Sequence, residues 1–401
     1  MRILYFTRDY TPHDHRFLSA LAKTEHEIYS LRLERGLRQI EDRPIPVEVH
    51  QVLWKGGQGP ARWRDFPALC QDLKRVYREV KPDVVHAGPV PDVAFLAALS
   101  GFHPLVSMAW GSDLLKDVDQ DRRLNWAARF ALRRTDVLVG DCLAVQQKAA
   151  ALGFPAERVF LFPWGVDLDR FSPSPGTLAQ APSPGTLAQA PGPEVLGGAP
   201  ADEDQFRRRL GWEKAFVLLS LRSWEPVYGV DVVASGFVRA AQQIPELRLA
   251  LLGSGSQART IHEILARGGV EKQVYFGGQV SNDRLIQFYR TADLYLSASH
   301  SDGSSVSLME ALACGLPVLV SAIPGNQEWI QAEKAGEGWL FRDGDAQALA
   351  EGIIRAYRLR GERPARAQAA RRLAEERADW NQNFLKLLQA YQMAVKRNSG
   401  G

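Results

Sequence analysis

The chain has 401 residues, 45% hydrophobic and 24% charged, the composition of a soluble globular protein of two or three domains. Lys and Arg number 49 against 46 Asp and Glu, and a net charge of +3 makes no footprint for a polyanion, which sets nucleic acid aside as a partner. Cys70, Cys142 and Cys314 have neither disulfide nor metal-ligand spacing and read as small buried hydrophobes in a reducing compartment.

The chain opens on a short apolar run, Ile3–Phe6, which reads as a core strand and is too short for a signal peptide. No apolar run approaches the roughly 20 residues of a membrane span. The expected location is cytoplasmic, with peripheral contact at the inner face of a membrane left open. Further strands are predicted at Glu27–Leu31, Val47–Val52, Val84–His86, Leu105–Ala109, Val137–Val139 and Val159–Phe162. Phe66–Val80 and Leu124–Leu132 between them carry apolar residues at helical spacing. Alternation of this kind predicts a parallel sheet covered on both faces.

The pattern breaks at 171–205, which holds seven prolines and five glycines. Inside it, Ser-Pro-Gly-Thr-Leu-Ala-Gln-Ala-Pro occurs at 174–182 and again at 183–191. Two 9-residue copies are too short for a solenoid, and the segment reads as a linker insert. The alternation then restarts. Strands are predicted at Phe216–Leu221, Leu247–Leu252, Val274–Phe276, Leu294–Ala298, Pro317–Val320 and Gly338–Phe341. Helices are predicted at Val230–Gln242, Ala258–Arg267, Asp283–Tyr289, Ser307–Cys314 and Ala346–Leu359, with a helical tail at Trp380–Lys396. The expected organisation is a first α/β domain over 1–170, the linker over 171–205, a second α/β domain over 206–375, and a terminal helix and tail over 376–401. Ligands in open α/β sheets bind beyond the carboxyl ends of the strands, so two such halves facing each other would form a cleft.

The most informative stretch runs from Ser299 to Val318. Asp302 is followed by Gly303, Ser304, Ser305 and Val306, then a helix, then a glycine stop and another strand. The serines suit helix capping, and the exposed amides of that helix N-terminus suit a phosphate. Glu310, eight residues after Asp302, is placed to accept hydrogen bonds from ribose hydroxyls; a capped helix with a surface glutamate is the plain alternative. Arg222 follows the first strand of the second half, where a guanidinium suits a diphosphate, or is simply solvated. Leu252-Gly253-Ser254-Gly255 imitates a dinucleotide fingerprint, but no acid closes the next strand, so only a glycine-permitted approach to some nucleotide is expected. His13, His15 and Arg16 follow strand one and are acceptor or phosphate candidates, with helix capping by Asp14 as the alternative. Trp110 and Asp113 follow another strand; Asp113 either holds a sugar hydroxyl or caps a helix. Asp117, Asp119 and Asp121 read as a solvated face. So do Arg122, Arg123, Arg129, Arg133 and Arg134. The loop from Trp54 to Arg64 mixes tryptophan with basic residues, which suits a membrane interface or a glycolipid acceptor.

These residues resemble a retaining, GT-B-type glycosyltransferase of family 4, also called group 1. The family's Glu–seven residues–Glu motif with Ala-x-Ala-x-Gly-x-Pro-Val after it matches Asp302 to Glu310 and then Ala311 through Val318. Phe276–Val280, Thr291–Leu294, Pro324–Glu328, Pro163–Phe171 and the tail Asp379–Tyr391 are also family-like. Several positions depart from the pattern. The first motif glutamate is Asp302, one methylene shorter. The family's donor-site Lys falls on Tyr228, as in members with Pro-x-Tyr there. The acceptor-loop His is Trp110, and the first-loop Gly-Gly is replaced by Tyr10–Arg16.

The resemblance implies an α/β GT-B fold, two Rossmann-like domains facing each other across a cleft, with a C-terminal helix crossing back to the first domain. It implies transfer of a sugar from a nucleotide diphosphate, UDP before GDP, to a sugar, glycolipid or small-molecule acceptor, with retention and no metal or other cofactor. Asp302 would orient the donor sugar, Arg222 the diphosphate and Glu310 the ribose. Gly278 and Gln279 would flank the base through their backbone. The leaving phosphate itself is a candidate to take the acceptor's proton. The other readings are a catalytically reduced nucleotide-sugar-binding protein and a sugar-nucleotide epimerase on the same fold.

Overall fold

The computed structural model describes residues 1–36, 43–174, 201–331 and 336–399, of which 201–204 and 399 are described by backbone alone. The chain divides into two compact units. One holds Met1–Trp164, Ser301–Ser304 and Trp380–Gly401; the other holds Gly165–His300 and Ser305–Asp379.

The first unit is built on seven parallel strands: β1 Arg2–Thr7, β2 Glu27–Arg32, β3 Val49–Gln51, β4 Val84–Gly88, β5 Leu105–Met108, β6 Val137–Gly140 and β7 Val159–Leu161. Their order is β3-β2-β1-β4-β5-β6-β7. The second unit has six parallel strands: β8 Phe216–Ser220, β9 Leu247–Leu252, β10 Val274–Gly278, β11 Leu294–Ser297, β12 Val318–Ser321 and β13 Gly338–Phe341. Their order is β10-β9-β8-β11-β12-β13. Both orders reverse direction once, between β1 and β4 and between β8 and β11, and such reversals mark where doubly wound sheets take their ligands. The central strands read as unbroken apolar runs because helices cover both faces, and every residue of β4, β5, β6, β8, β11 and β12 is buried.

Helices form where the apolar period is 3.6. Phe66–Val80 buries Phe66, Leu69, Leu73, Val76, Tyr77 and Val80 along one stripe. Several helices escape the periodic reading, three of them for a clear physical reason. Val90–Ala94 and Phe95–Ser100 form a helical stretch buried nearly all round, so it has no polar face to set a period. Leu143–Ala151 and Arg363–Arg377 pack through alanines, which leave little hydrophobic contrast. A further helix overlaps the end of the predicted linker. Ala201–Leu210 is a helix, and its Phe206 is buried; the tandem repeat itself falls almost wholly outside the described residues.

The tail helix spans Trp380–Ser399 and packs on β4, β5, β6 and β7 of the first unit. Leu387, Ala390, Tyr391 and Ala394, spaced three, one and three apart, are fully buried in that contact. No described helix is long and apolar enough to cross a membrane.

Candidate functional site

In the second unit the reversal of strand order lies between β8 and β11, and the chain leaving those strands carries Arg222 and the segment Ala298–Ser305. Arg222 Nη1 donates to Ser305 Oγ at 3.0 Å and to Ser307 Oγ at 3.3 Å. The two hydroxyls lie 3.1 Å apart, and Tyr295 OH is 2.8 Å from Ser307 Oγ. The Arg222 guanidinium sits 4.2 Å from the centre of the Tyr228 ring. One turn further along the helix Val306–Ala313, Glu310 is buried, and its Oε2 accepts a hydrogen bond from Tyr289 OH at 2.7 Å. Arg222 is thus aimed at the first turn of this helix. A guanidinium and the N-terminal amides of a helix together create a positive potential suited to an anion.

One expectation is corrected here. Ser305 occupies the N-cap position but makes no side-chain capping bond. Its hydroxyl turns to Arg222 instead, so the serine orients the cation and leaves the first-turn amides uncapped by side chains.

The other donor-side candidates hold the neighbouring strand exits together. Trp224 Nε1 donates to Leu252 O at 2.9 Å, and Ser256 N to Glu225 Oε1 at 3.0 Å, which fastens the chain after β8 to the chain after β9. Gly253 N donates to Gly278 O at 2.6 Å, reaching the end of β10. Gly253 has φ +97, and a Cβ there would stand 2.7 Å from Arg222 O, so the residue type is fixed by backbone conformation and by this approach. Gly278 has φ +62 with open space where a Cβ would be, and Gln279 beyond it is exposed.

Asp302, Gly303 and Ser304 belong with the first unit. Asp302 Oδ1 accepts from Gly303 N at 3.1 Å. Ser304 N donates to Asp141 Oδ2 and Ser304 Oγ to Asp141 O, both at 2.7 Å. A Cβ on Gly303 would meet Asp141 Oδ2 at 2.2 Å. Burial pushes the Asp141 carboxyl up to about 6, against the pull of the Ser304 amide.

The acceptor-side candidates of the first unit divide by role. Asp14, fully buried, closes a capping box with Thr11 and takes a 2.9 Å bond from Tyr5 OH, so its part is to start the helix Pro12–Leu21. His15 Nδ1 pairs with Tyr10 OH at 2.8 Å, and burial lowers its pKa. The Arg16 guanidinium lies 3.9 Å from the centre of the Trp380 ring. Trp110 packs against His13 and Trp164, with ring centres 5.7 and 5.6 Å away. Asp113 accepts from Val90 N at 3.0 Å and Trp110 N at 2.9 Å, and burial pushes it up to about 7. It ties the exits of β4 and β5 together, is only 4% exposed, and is the first residue of the helical segment Asp113–Asp117 rather than its N-cap, which is Ser112.

Residues 13–170 match the family Glycosyltransferase Family 4, and residues 202–373 match Glycosyl transferases group 1. The chain belongs to the group 1 glycosyltransferases of GT-B type. Among relatives of the family, it is 28% identical over 252 residues to a D-inositol 3-phosphate glycosyltransferase of Xylanimonas cellulosilytica, covering 61% of this chain and 54% of that one. It is 23% identical over 308 residues to a GDP-mannose-dependent alpha-(1-6)-phosphatidylinositol monomannoside mannosyltransferase of Mycolicibacterium smegmatis, covering 72% of each. The chain therefore spans about half the length of the first relative and nearly three quarters of the second. In fold it is similar to the Anabaena protein HepE solved with UDP, at a TM-score of 0.76 and 19% identity over 98% of this chain and 100% of that one.

Three residues of the first unit stand just beyond strand ends and were not singled out by the sequence reading. Arg8 immediately follows β1, and its Nη2 pairs with Oδ2 of buried Asp92, beyond β4. Burial pushes the Asp92 carboxyl up to about 6 while Arg8 pulls it down. These two residues stand at the reversal between β1 and β4. Asp141, beyond β6, is the third. Arg8 was legible as a charge at a strand exit. Asp92 and Asp141 were not, because a lone aspartate carries no sign of burial. Among the described residues no three His, Cys, Asp or Glu side chains gather as a metal site.

Proposed function

We propose that this chain transfers a sugar from a nucleotide-diphosphate sugar, UDP before GDP, to a hydroxyl group of a sugar, glycolipid or small-molecule acceptor, with retention of configuration and without a metal ion. The observation that carries this reading is the convergence of Arg222 and the N-terminus of Val306–Ala313 at the strand-order reversal of the second sheet. As the glycosidic bond loosens, negative charge grows on the leaving diphosphate. A fixed guanidinium and fixed backbone amides stabilise it without reorganising, and each such donor typically contributes about 3 kcal/mol to the transition state. In this proposal Glu310, oriented by Tyr289, holds the ribose, Gly278 and Gln279 flank the base, and Asp302 orients the donor sugar. The Arg8–Asp92 pair, with His13 and Trp110, makes up the acceptor side. Support comes from the family, from relatives that use GDP-mannose, and from a fold neighbour solved with UDP.

The test begins with thermal unfolding in the presence of UDP, GDP, ADP or NAD, each with and without EDTA. A ligand that binds only the folded state raises the melting temperature by mass action. UDP or GDP stabilisation that survives EDTA is expected, followed by release of nucleotide diphosphate only when an acceptor is present. Tyr228, in place of the family's lysine, favours one other reading, a nucleotide-sugar-binding protein with reduced catalysis. Arg222→Ala separates the two: a transferase loses turnover on saturating donor, whereas a binding protein has no turnover to lose and shows weaker affinity alone.

A further inference from the structure

We propose that the face of the first unit formed by the helix Arg122–Arg134 and the segment Arg62–Arg64 docks on an anionic lipid surface. Trp54, at the start of the loop that suggested membrane contact, is buried, with Nε1 donating to Arg32 O at 2.8 Å. Trp63, near the loop's end, is 40% exposed, and Trp126 of the helix is 56% exposed. Both rings rest on the buried Phe95, with centres 5.5 and 5.3 Å from it, and Trp63 also stacks on Phe66 at 5.2 Å. The two indoles are therefore held outward on a fixed aromatic floor.

The helix around Trp126 has five arginines in 13 residues and no acid. Arg122, Trp126, Arg129 and Arg133 follow one another at helical spacing, and so do Arg123, Trp126, Phe130 and Arg134. Arginines thus flank an aromatic strip on the side of the helix opposite its buried Ala127, Ala128, Ala131 and Leu132. Arg122 and Arg123 sit in the first turn, where the helix dipole disfavours cations. Arg122, Arg123 and Arg133 form no ion pair among the described residues. Arg134 lies 3.8 Å from the Phe130 ring centre, and Arg129 bonds Asn125. Acids beside the patch include Asp65, 3.8 Å from Arg64, Asp121, which caps the helix through Arg123 N, and Glu34, which accepts from Ala61 N.

Exposed arginines interleaved with exposed indoles match the boundary between lipid headgroups and acyl chains. Indole rings favour that depth, and arginine side chains extend to the phosphates above it. Anionic lipid adds attraction for each basic residue near the surface.

The full chain is sedimented with phosphatidylcholine vesicles, with and without phosphatidylglycerol, at low and high salt. Binding to the anionic vesicles, weakened by salt, is expected. Trp63→Ser with Trp126→Ser, and Arg122→Glu with Arg133→Glu, are each expected to weaken it by roughly tenfold or more with an unchanged circular dichroism spectrum. If the double tryptophan variant fails to fold, Trp126→Ser alone, at a half-exposed position, reads the same contribution. Absence of binding to anionic vesicles by the wild type overturns the proposal, as does full binding by either variant. Loss with the arginine pair alone, together with equal competition by short duplex DNA, identifies a plain polyanion contact and also overturns it.

Discussion

His86 and Tyr391, separated by 305 residues in the chain, share a hydrogen bond of 2.6 Å between Nδ1 and the phenol hydroxyl. Both are buried, one on β4 and one on the tail helix. Burial pushes the His86 pKa down to about 3 and the Tyr391 pKa well above its ordinary value, so both are neutral near pH 7.

This pair predicts an acid-sensitive first unit. Between the unfolded histidine value near 6.5 and the folded value of about 3, the unfolded chain binds a proton that the folded chain refuses. Stability from this group is complete above pH 6.5 and falls as pH drops, by about 1.4 kcal/mol per unit within the window. His86→Gln should lower the melting temperature at pH 7.5 yet flatten its decline toward pH 4. Equal acid slopes for wild type and variant would show that His86 is not the group responsible.

Tyr228 is predicted to position Arg222 through its ring rather than through its hydroxyl. Tyr228→Phe should keep kcat within about twofold, and Tyr228→Ala should lower it by roughly fivefold, the worth of about 1 kcal/mol of cation–π attraction. Steady-state rates at saturating donor measure this. A large loss in the phenylalanine variant would transfer the role to the hydroxyl.

Gly253→Ala is expected to impair nucleotide binding more than folding. Its φ of +97 and the 2.7 Å approach to Arg222 O force the strand exit to move. Strain of about 1–3 kcal/mol enters the folded state, and the displaced backbone carries Arg222 with it. Calorimetric titration with the nucleotide found to stabilise the wild type, beside a melting curve, compares the two losses. A loss in stability alone would place Gly253 outside the site.

Asp293 is predicted to be a stability residue of the second unit. Its carboxylate, 8% exposed, pairs with Arg207 and Arg363 at 2.9 Å each and accepts from Val217 N at 2.8 Å. Asp293→Ala leaves two partly buried guanidiniums without their carboxylate, at a cost of about 3 kcal/mol. Urea unfolding of the second unit should show a lower midpoint, while nucleotide affinity of the folded protein stays unchanged.

The sequence by itself determined the two α/β halves, the parallel sheets and the tail helix. Unbroken apolar runs such as Val84–His86 and Phe216–Leu221, alternating with amphipathic segments such as Phe66–Val80, have one physical solution. Strand-buried runs need helices on both faces, and parallel strands need crossovers. The spacing from Asp302 to Glu310, with Arg222 at a strand exit, marked these residues as donor-side candidates for a local reason. Loop residues immediately after core strands must emerge at the sheet's carboxyl edge.

Only the tertiary structure decided which strand exits are neighbours. The order β10-β9-β8-β11-β12-β13 brings Arg222 onto Ser305 and Ser307 across 83 and 85 residues, which no local period encodes. The same holds for Arg8 with Asp92, and for Asp113, whose carboxylate is taken by two backbone amides. Trp54 and Trp63 look alike in sequence, and packing alone buried one, bonded to Arg32 O, and left the other 40% exposed against Phe66 and Phe95. Burial and pairing of polar groups depend on contacts distant in the chain, so a residue's type states what chemistry it has and the fold states where that chemistry is aimed.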